Sequence, residues 1–221
     1  MDVWELMRSR HSVRHYLNKP LEEEKIALLR QAVDAVNEES GLHIRLFTEE
    51  PEAFAAHKPH YGAFRGCRNY FTAAGPRDAA EQVGYYGEKL VLYAQELGLN
   101  TCWAVLTYKK SKISLSLAPG EKLHIVIALG YGENQGVQHR SKPLSKVAEI
   151  TERTPDWFRQ GVEAALLAPT AMNQQQFWFR LIGGSKVEAK AKFGPWTKID
   201  LGIVKYHFEL GAGRDNFTWA S

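Results

Sequence analysis

Arg30-Gln31-Ala32-Val33-Asp34-Ala35 in the first third of the chain returns as Arg159-Gln160-Gly161-Val162-Glu163-Ala164 in the last. A short apolar run succeeds each copy: His43-Ile44-Arg45-Leu46 after the first, Trp178-Phe179-Arg180-Leu181 after the second. The spacing differs, because the second copy holds six more residues between the two segments. Those extra residues fall within Ala168-Pro169-Thr170-Ala171-Met172-Asn173-Gln174-Gln175-Gln176. A second pair recurs in the same order. Leu90-Val91, Tyr93 and Glu96-Leu97-Gly98 match Ile203-Val204, Tyr206 and Glu209-Leu210-Gly211, and Trp103-Ala104 then matches Trp219-Ala220. The agreement includes polar and glycine positions that helical amphipathicity does not require. A duplicated unit of this kind predicts two halves packed like an isologous pair fused into one chain. Clefts between such halves are natural ligand sites.

Periodicity predicts helices over 3–9, 22–37, 79–97 and 156–167. The second of these lines up Ile26, Leu29, Val33 and Val36 on one stripe and ends near Gly41, a residue suited to a left-handed cap. The last stops at Ala168-Pro169, as proline demands. Strand-like runs occupy 43–47, 70–74, 123–129 and 177–182. The 123–129 run is almost wholly apolar, which predicts a strand covered on both faces. Residues 48–69 and 134–155 are rich in polar residues, Pro and Gly and read as loops. Helices alternating with strands predict a layered α+β or α/β fold. The halves are drawn at 1–150 and 151–221, forming one compact unit.

Composition bounds the function. The chain has 221 residues, 28 basic against 25 acidic, for a net charge of +3. That balance argues against a nucleic-acid partner, whose footprint is more basic and more clustered. It leaves room for one local phosphate pocket. Two cysteines, Cys67 and Cys102, are too few for a disulfide scaffold and suit a reducing cytoplasm. No apolar run is long enough to span a bilayer, and the amino terminus lacks a secretory pattern. A soluble cytoplasmic protein with no membrane partner is the expectation.

Four motifs carry chemistry. Arg8-Ser9-Arg10-His11-Ser12-Val13-Arg14 offers charge-assisted donors for a phosphate or polyol. The 168–175 segment comes after an apolar helix and opens on Ala168-Pro169. Its Asn and Gln amides supply both donors and acceptors, which suits a ring with alternating N–H and C=O groups. Gly84-Tyr85-Tyr86-Gly87-Glu88 puts glycines on a helix, a sign of close backbone packing. Gly98-Leu99-Asn100-Thr101-Cys102-Trp103-Ala104-Val105 lies at the end of that helix, where Cys102 reads as structural because nothing in the sequence activates it. His139-Arg140-Ser141-Lys142-Pro143 places cations beyond the 123–129 strand. No metal ligand set is read: His57 and His60 are loosely spaced, and Lys58 and Arg65 beside them suit a solvated lid.

Together, in this order, these motifs resemble the FMN-dependent nitroreductase family, and in particular a branch whose single chain contains both halves. The resemblance covers nearly the whole chain. It implies an α+β, nitroreductase-like three-layer fold, with a small mixed sheet flanked by helices in each half and the halves packed as a pseudo-dimer. Arg10, Ser12 and Arg14, with His11 beside them, would hold the FMN phosphate and ribityl chain, and Lys142 and Arg140 would complete the phosphate pocket. Pro169, Thr170, Ala171, Asn173 and Gln175 would meet the isoalloxazine and ribityl from the other half. Thr101 and Trp103 belong to the same cofactor-binding set, and the backbone near Ala104 and Val105 would face flavin N5.

Departures from the family pattern carry information. The early position of the proline element holds Asn37-Glu38-Glu39-Ser40-Gly41, which lacks the proline and the amides. The second half has no Arg-x-Ser-x-Arg and reads Thr154-Pro155-Asp156-Trp157 before its helix. Each half keeps complementary parts of one site, so one FMN per chain is expected. The family's proline and tryptophan after the second glutamine are Gln176 and Phe177 here. The resemblance implies NADH or NADPH as co-substrate, hydride passing through the flavin in ping-pong fashion to a small organic acceptor, and no catalytic side chain. A flavin-binding storage or sensing protein and a cofactor-free interaction module are the rival readings. A monomer is possible, and a homo-oligomer stays open.

Overall fold

A computed structural model describes the protein at residues 2–55 and 63–220. The His57–His60 segment lies outside the described residues. Among the described residues the protein is α+β, with two small sheets flanked by helices. In chain order the elements are α1 (Val3–Ser9), α2 (Glu23–Ser40), β1 (His43–Phe47), β2 (Asn69–Pro76), α3 (Ala80–Glu96), β3 (Asn100–Ala104) and β4 (Glu121–Gly130). Next come α4 (Asp156–Ala165), β5 (Phe177–Ile182), β6 (Lys186–Ala191), α5 (Thr197–Ala212) and β7 (Thr218–Trp219).

The chain divides into two compact units that interleave in sequence. One comprises Ser9–Ala79 and Lys89–Val137; the other comprises Met1–Arg8, Ala80–Glu88 and Gln138–Ser221. The sequence instead suggests halves that meet at residue 150. Residues 147–149, on the amino-terminal side of that point, pair with β5: Phe179 N–H donates to Val147 O at 2.8 Å, and Glu149 N–H donates to Phe179 O at 3.1 Å. Several of the matched segments fall in elements of the same kind. Arg30–Ala35 lies in α2 and Arg159–Ala164 in α4, while Trp103 lies in β3 and Trp219 in β7.

The first unit holds the sheet β1-β2-β4-β3. Alternation along β2 and β4 sorts side chains between faces. Tyr70 pairs with Ala128 and Phe71 with Ile127. Tyr70, Val126 and Ala128 join Val13, Tyr16, Phe54, Cys67, Cys102 and Ala104 in one apolar cluster. Phe71, Ala73, Ile127 and Leu129 are buried as well, so both faces of the central strands are covered. This is why 123–129 reads as almost wholly apolar. Helix α2 terminates at Gly41, whose φ of 69° is the left-handed conformation that glycine adopts without penalty. Asn37 then ties the helix to β1, its side chain exchanging two 2.8 Å hydrogen bonds with the Ile44 backbone.

One detail of the expected fold is corrected. The resemblance implies a mixed sheet in each half, but β1 to β4 pair antiparallel throughout. Parallel pairing enters only through single-residue bridges, Ser12 with Thr101 and His15 with Arg65, among the described residues of this unit. The amino-terminal arm makes these bridges, the first of them to β3, without forming a strand. The second sheet, β5-β6-β7, is mixed: β5 and β6 are antiparallel, β6 and β7 parallel.

The second unit is built on aromatic packing. Phe208 of α5 meets Phe158, Phe179, Phe217 and Trp219 at centroid separations of 4.8–5.6 Å. Helix α5 shows no amphipathic stripe, because buried residues occur on every side of it. In the sequence it is legible only through its likeness to the α3 segment. Within this unit α5 also crosses the first turns of α3. A Cβ at Gly202 would overlap the Glu81 carbonyl oxygen, and one at Gly84 would overlap the Ile199 carbonyl oxygen. Two backbones in such contact have no room to give. Gly202→Ala is therefore expected to destabilise the protein by about 2 kcal/mol or more, the range of severe overpacking. Denaturant unfolding measures it, and an unchanged midpoint would contradict the close approach.

Candidate functional site

In the first unit the Arg10–Arg14 motif is an extended arm stitched to its neighbours by main-chain bonds. Val13 N–H donates to Thr101 O at 3.0 Å, Arg65 N–H to Arg14 O at 2.9 Å, and Tyr16 N–H to Arg65 O at 2.8 Å. Leu17 N–H reaches Tyr131 O, and Glu133 N–H reaches His15 O. Glycines allow the arm to lie this close. A Cβ at Gly136 would fall 2.7 Å from the His11 Cβ, and one at Gly66 would overlap the Tyr16 carbonyl oxygen. Val13 and Tyr16 anchor the arm in the core, at 1% and 3% exposure.

The alternation of an extended chain brings Arg10, Ser12 and Arg14 to a common neighbour, Cys102 on β3. The Ser12 side chain hydrogen-bonds the Cys102 thiol, and the fields of Arg14 and Arg10 both favour its ionised form. Burial outweighs them and raises the Cys102 pKa. Cys67 is likewise pushed up to about 12 by burial. Both thiols are buried and free, which fits structural cysteines rather than nucleophiles. Of the other first-unit candidates, Thr101 and Ala104 are buried, His11, Trp103 and Val105 half-buried. Val105 begins a bend directly after β3.

In the second unit the 169–175 loop is strained and heavily braced. Met172, Asn173 and Gln175 have φ of 52°, 53° and 45°. Left-handed backbone at a non-glycine residue costs roughly 1 kcal/mol or more, so three in four positions need outside support. Thr170 supplies part of it. Its hydroxyl accepts from Gln175 N–H at 3.0 Å, and its carbonyl accepts from Asn173 N–H at 2.9 Å. The Lys142 ammonium donates to Gln174 O at 2.6 Å and Gln175 O at 3.1 Å, and the Lys142 N–H donates to Gln175 Oε1 at 2.8 Å. The Asn173 and Gln175 amides both donate to Arg140 O, at 2.9 and 2.8 Å. His139 Nε2 and Ser141 Oγ sit 2.8 and 3.2 Å from Leu166 O.

The structure therefore gathers Arg140, Lys142, Thr170, Asn173 and Gln175 into one network. Lys142 and the Arg140 carbonyl act there as braces of the loop. Burial and the neighbouring charge of Lys192 lower the Lys142 pKa. Arg10, His11, Ser12, Arg14, Thr101, Trp103, Ala104 and Val105 belong to the other compact unit.

One member of the network is invisible in the sequence. Asp200, 3% exposed in the first turn of α5, accepts from Ala171 N–H at 3.0 Å and from the Gln174 amide at 3.0 Å. Burial, opposed by those two bonds, pushes its pKa up to about 6. Nothing in the sequence flags it, since an aspartate in a first helical turn is ordinary. The Gly84–Glu88 motif also acquires roles. Tyr85 donates to Glu209 at 2.6 Å, and Glu209 accepts from Trp219 Nε1 at 2.7 Å and pairs with Arg214 at 2.8 Å. Glu88 meets His207 Nε2 at 2.9 Å with both side chains fully buried. The His207 Nδ1 faces Ala164 O at 3.2 Å and so carries a proton toward it. Among the described residues, no three His, Cys, Asp or Glu gather as a metal site, and no helix is long and apolar enough to cross a membrane.

Comparison with known proteins agrees with this architecture. The sequence model of the family described as "Putative TM nitroreductase" matches residues 2–212. The chain thus belongs to that nitroreductase family, and its class is that of an oxidoreductase. A "putative nitroreductase" of Thermotoga maritima MSB8 shares the fold with a TM-score of 0.67 at 22% identity, over 97% of this chain and 85% of that one. A "putative nitroreductase in complex with FMN" from Desulfovibrio desulfuricans gives a TM-score of 0.55 at 20% identity, over 70% of this chain and 99% of the other. A "Putative NADH dehydrogenase/NAD(P)H nitroreductase" of Parabacteroides distasonis gives 0.52 at 20%, over 68% and 97%. No curated protein matches the chain.

The Asp200 carboxyl has a measurable consequence. Its folded pKa, about 6, lies above the ordinary aspartate value of 3.8. Between those values the folded state holds the proton more tightly, so stability is lost as pH rises through that window. Two units correspond to about 3 kcal/mol. Relative to Asp200→Asn, the wild type should lose that much stability from about pH 3 to about pH 7. Parallel unfolding-versus-pH curves for the two proteins would refute the shift.

Proposed function

We propose that this protein is an FMN-dependent oxidoreductase that draws reducing equivalents from NADH or NADPH and passes them to a small organic acceptor. The observation that carries the reading is the 169–175 loop. It holds three left-handed residues in four positions, in a segment rich in amides, and it is braced from several sides. Strain so maintained is characteristic of preorganised ligand sites. Two structures that share the fold support the same reading: the FMN complex from Desulfovibrio desulfuricans and the NAD(P)H nitroreductase of Parabacteroides distasonis.

The residues fit such a cofactor by their chemistry. Arg10, Ser12 and Arg14 offer two guanidinium groups and a hydroxyl sharing one neighbour, a donor set for a phosphate monoester and the polyol beside it. His11 and the exposed Arg140 add polar contacts, and Lys142 keeps the loop in shape while contributing positive charge. Pro169 starts the loop clear of α4; Thr170, Ala171, Asn173 and Gln175 present backbone and amide groups to a heteroaromatic ring. Thr101, Trp103, Ala104 and Val105 supply the edge of β3 and the bend after it. FMN, when bound, supplies the hydride chemistry at its N5 position. The protein's own part is to bind, orient and neutralise charge, with donors fixed in advance of the reaction. No side chain is assigned a proton-transfer role.

The chain is proposed to take one FMN. The first repeat lacks the proline and amide element at 37–41, and the second lacks the Arg-x-Ser-x-Arg run before α4. Neither copy by itself holds a complete set. This complementarity is what an internal duplication leaves when its halves come to serve a single pseudo-dimeric site. Two buried free thiols suit a reducing cytoplasm.

Titration of pure protein with FMN, followed by flavin fluorescence, should saturate at one equivalent per chain; two equivalents would overturn the shared-site reading. Arg10→Ala with Arg14→Ala should weaken that binding by at least tenfold. Anaerobic addition of NADH or NADPH to the loaded protein should bleach the flavin band within seconds. A bound flavin that neither nucleotide bleaches would point to storage or sensing, and failure to take up FMN at all would end the flavin reading.

A further inference from the structure

We infer that Asp200 is a positioning residue whose buried carboxylate holds the 169–175 loop in the shape that receives the ligand. The inference rests on the flavin reading above, but its geometry is independent of it. Asp200 lies near the start of α5, 3% exposed. Its Oδ1 accepts from Ala171 N–H and its Oδ2 from the Gln174 amide, each at 3.0 Å. One carboxylate thus grips the loop at two places that flank Met172 and Asn173, the first two left-handed residues.

The Gln174 amide also donates to Pro195 O at 2.8 Å. That fixes its orientation, so the nitrogen faces Asp200 and an acceptor is required there. Asparagine could keep one of the two contacts, but its own N–H₂ would oppose either the Gln174 N–H₂ or the Ala171 N–H. Alanine would keep neither. Around the carboxylate, the partners are a main-chain amide and a carboxamide, both uncharged. The cation in the same network, Lys142, is committed to the Gln174 and Gln175 carbonyls.

Stability alone does not explain an acid at this position. A carboxyl whose proton is retained up to about pH 6 by burial weakens the fold when it ionises. A neutral isostere would spare that loss. What the charge provides is two strong acceptor sites for a strained segment, since ionised acceptors make the stronger hydrogen bonds. The arrangement matches the general exchange of stability for preorganisation at binding sites.

The test uses full-length protein bearing Asp200→Asn or Asp200→Ala, with three readouts at pH 7. Hydrogen–deuterium exchange of the ligand-free protein reports on the loop directly: the 170–175 amides should exchange at least tenfold faster in both variants. FMN affinity should fall in the order wild type, Asp200→Asn, Asp200→Ala, by at least tenfold overall. The melting temperature of Asp200→Asn should stay level or rise. A merely structural aspartate would instead lower melting temperature and affinity together, which overturns the assignment. Unchanged exchange at the loop also overturns it. Wild-type protein that takes up no FMN would defeat the flavin reading, and the exchange readout would then decide the loop-holding role alone. If Asp200→Ala fails to fold, Asp200→Asn carries the test.

Discussion

Left-handed backbone is costly at Met172 and Gln175 and less so at Asn173, so the three together need support from their surroundings. Their conformation exists because the surroundings over-determine it. Thr170 closes the loop from within, Lys142 and Arg140 grip its carbonyls and amides from the 139–142 segment, and Asp200 pins it from α5. Each brace depends in turn on where its element sits. Segment 147–149 is paired to β5, and α5 is fixed by the aromatic packing around Phe208 and by backbone contact at Gly84 and Gly202. Much of the second unit can be understood as the frame that keeps the 169–175 loop in an unfavourable shape.

The first unit solves a different problem. It holds charged and polar side chains in order on an arm that makes no regular strand. Main-chain bonds to Thr101, Arg65, Tyr131 and Glu133 leave Arg10, Ser12 and Arg14 on a common side. Glycine at 66 and 136 lets the arm approach the body of the unit more closely than any side chain would permit. A basic motif that would otherwise be a solvated turn becomes an ordered donor array.

Architecture is legible in the sequence where periodicity and turn chemistry are strong. Helix α2 ends where Gly41 allows, and the 123–129 run announces a strand covered on both faces. Helix α5 escapes periodicity because it is buried all round, and it becomes visible only through its likeness to α3. Strand β6, Lys186 to Ala191, escapes because charged residues at alternate positions mask a single deeply buried Val187. The candidate site divides in the same way. Motif residues are legible because their types are unusual at that spacing. Asp200 is not, since its meaning comes from a loop 26 to 29 residues away in sequence. Lys142 reads as a phosphate ligand in the sequence, and its commitment to two carbonyls emerges only in three dimensions.

The interleaving of the two compact units constrains how the chain can acquire its structure. The unit containing the braced loop draws on the segments Met1–Arg8, Ala80–Glu88 and Gln138–Ser221, so its parts are made before, between and after the segments of the other unit. The other unit is fully translated by residue 137. Vectorial synthesis therefore lets the sheet β1-β2-β4-β3 organise while the rest of the chain is still emerging. No single cut of the polypeptide separates the two bodies, so neither can be exchanged as one contiguous segment.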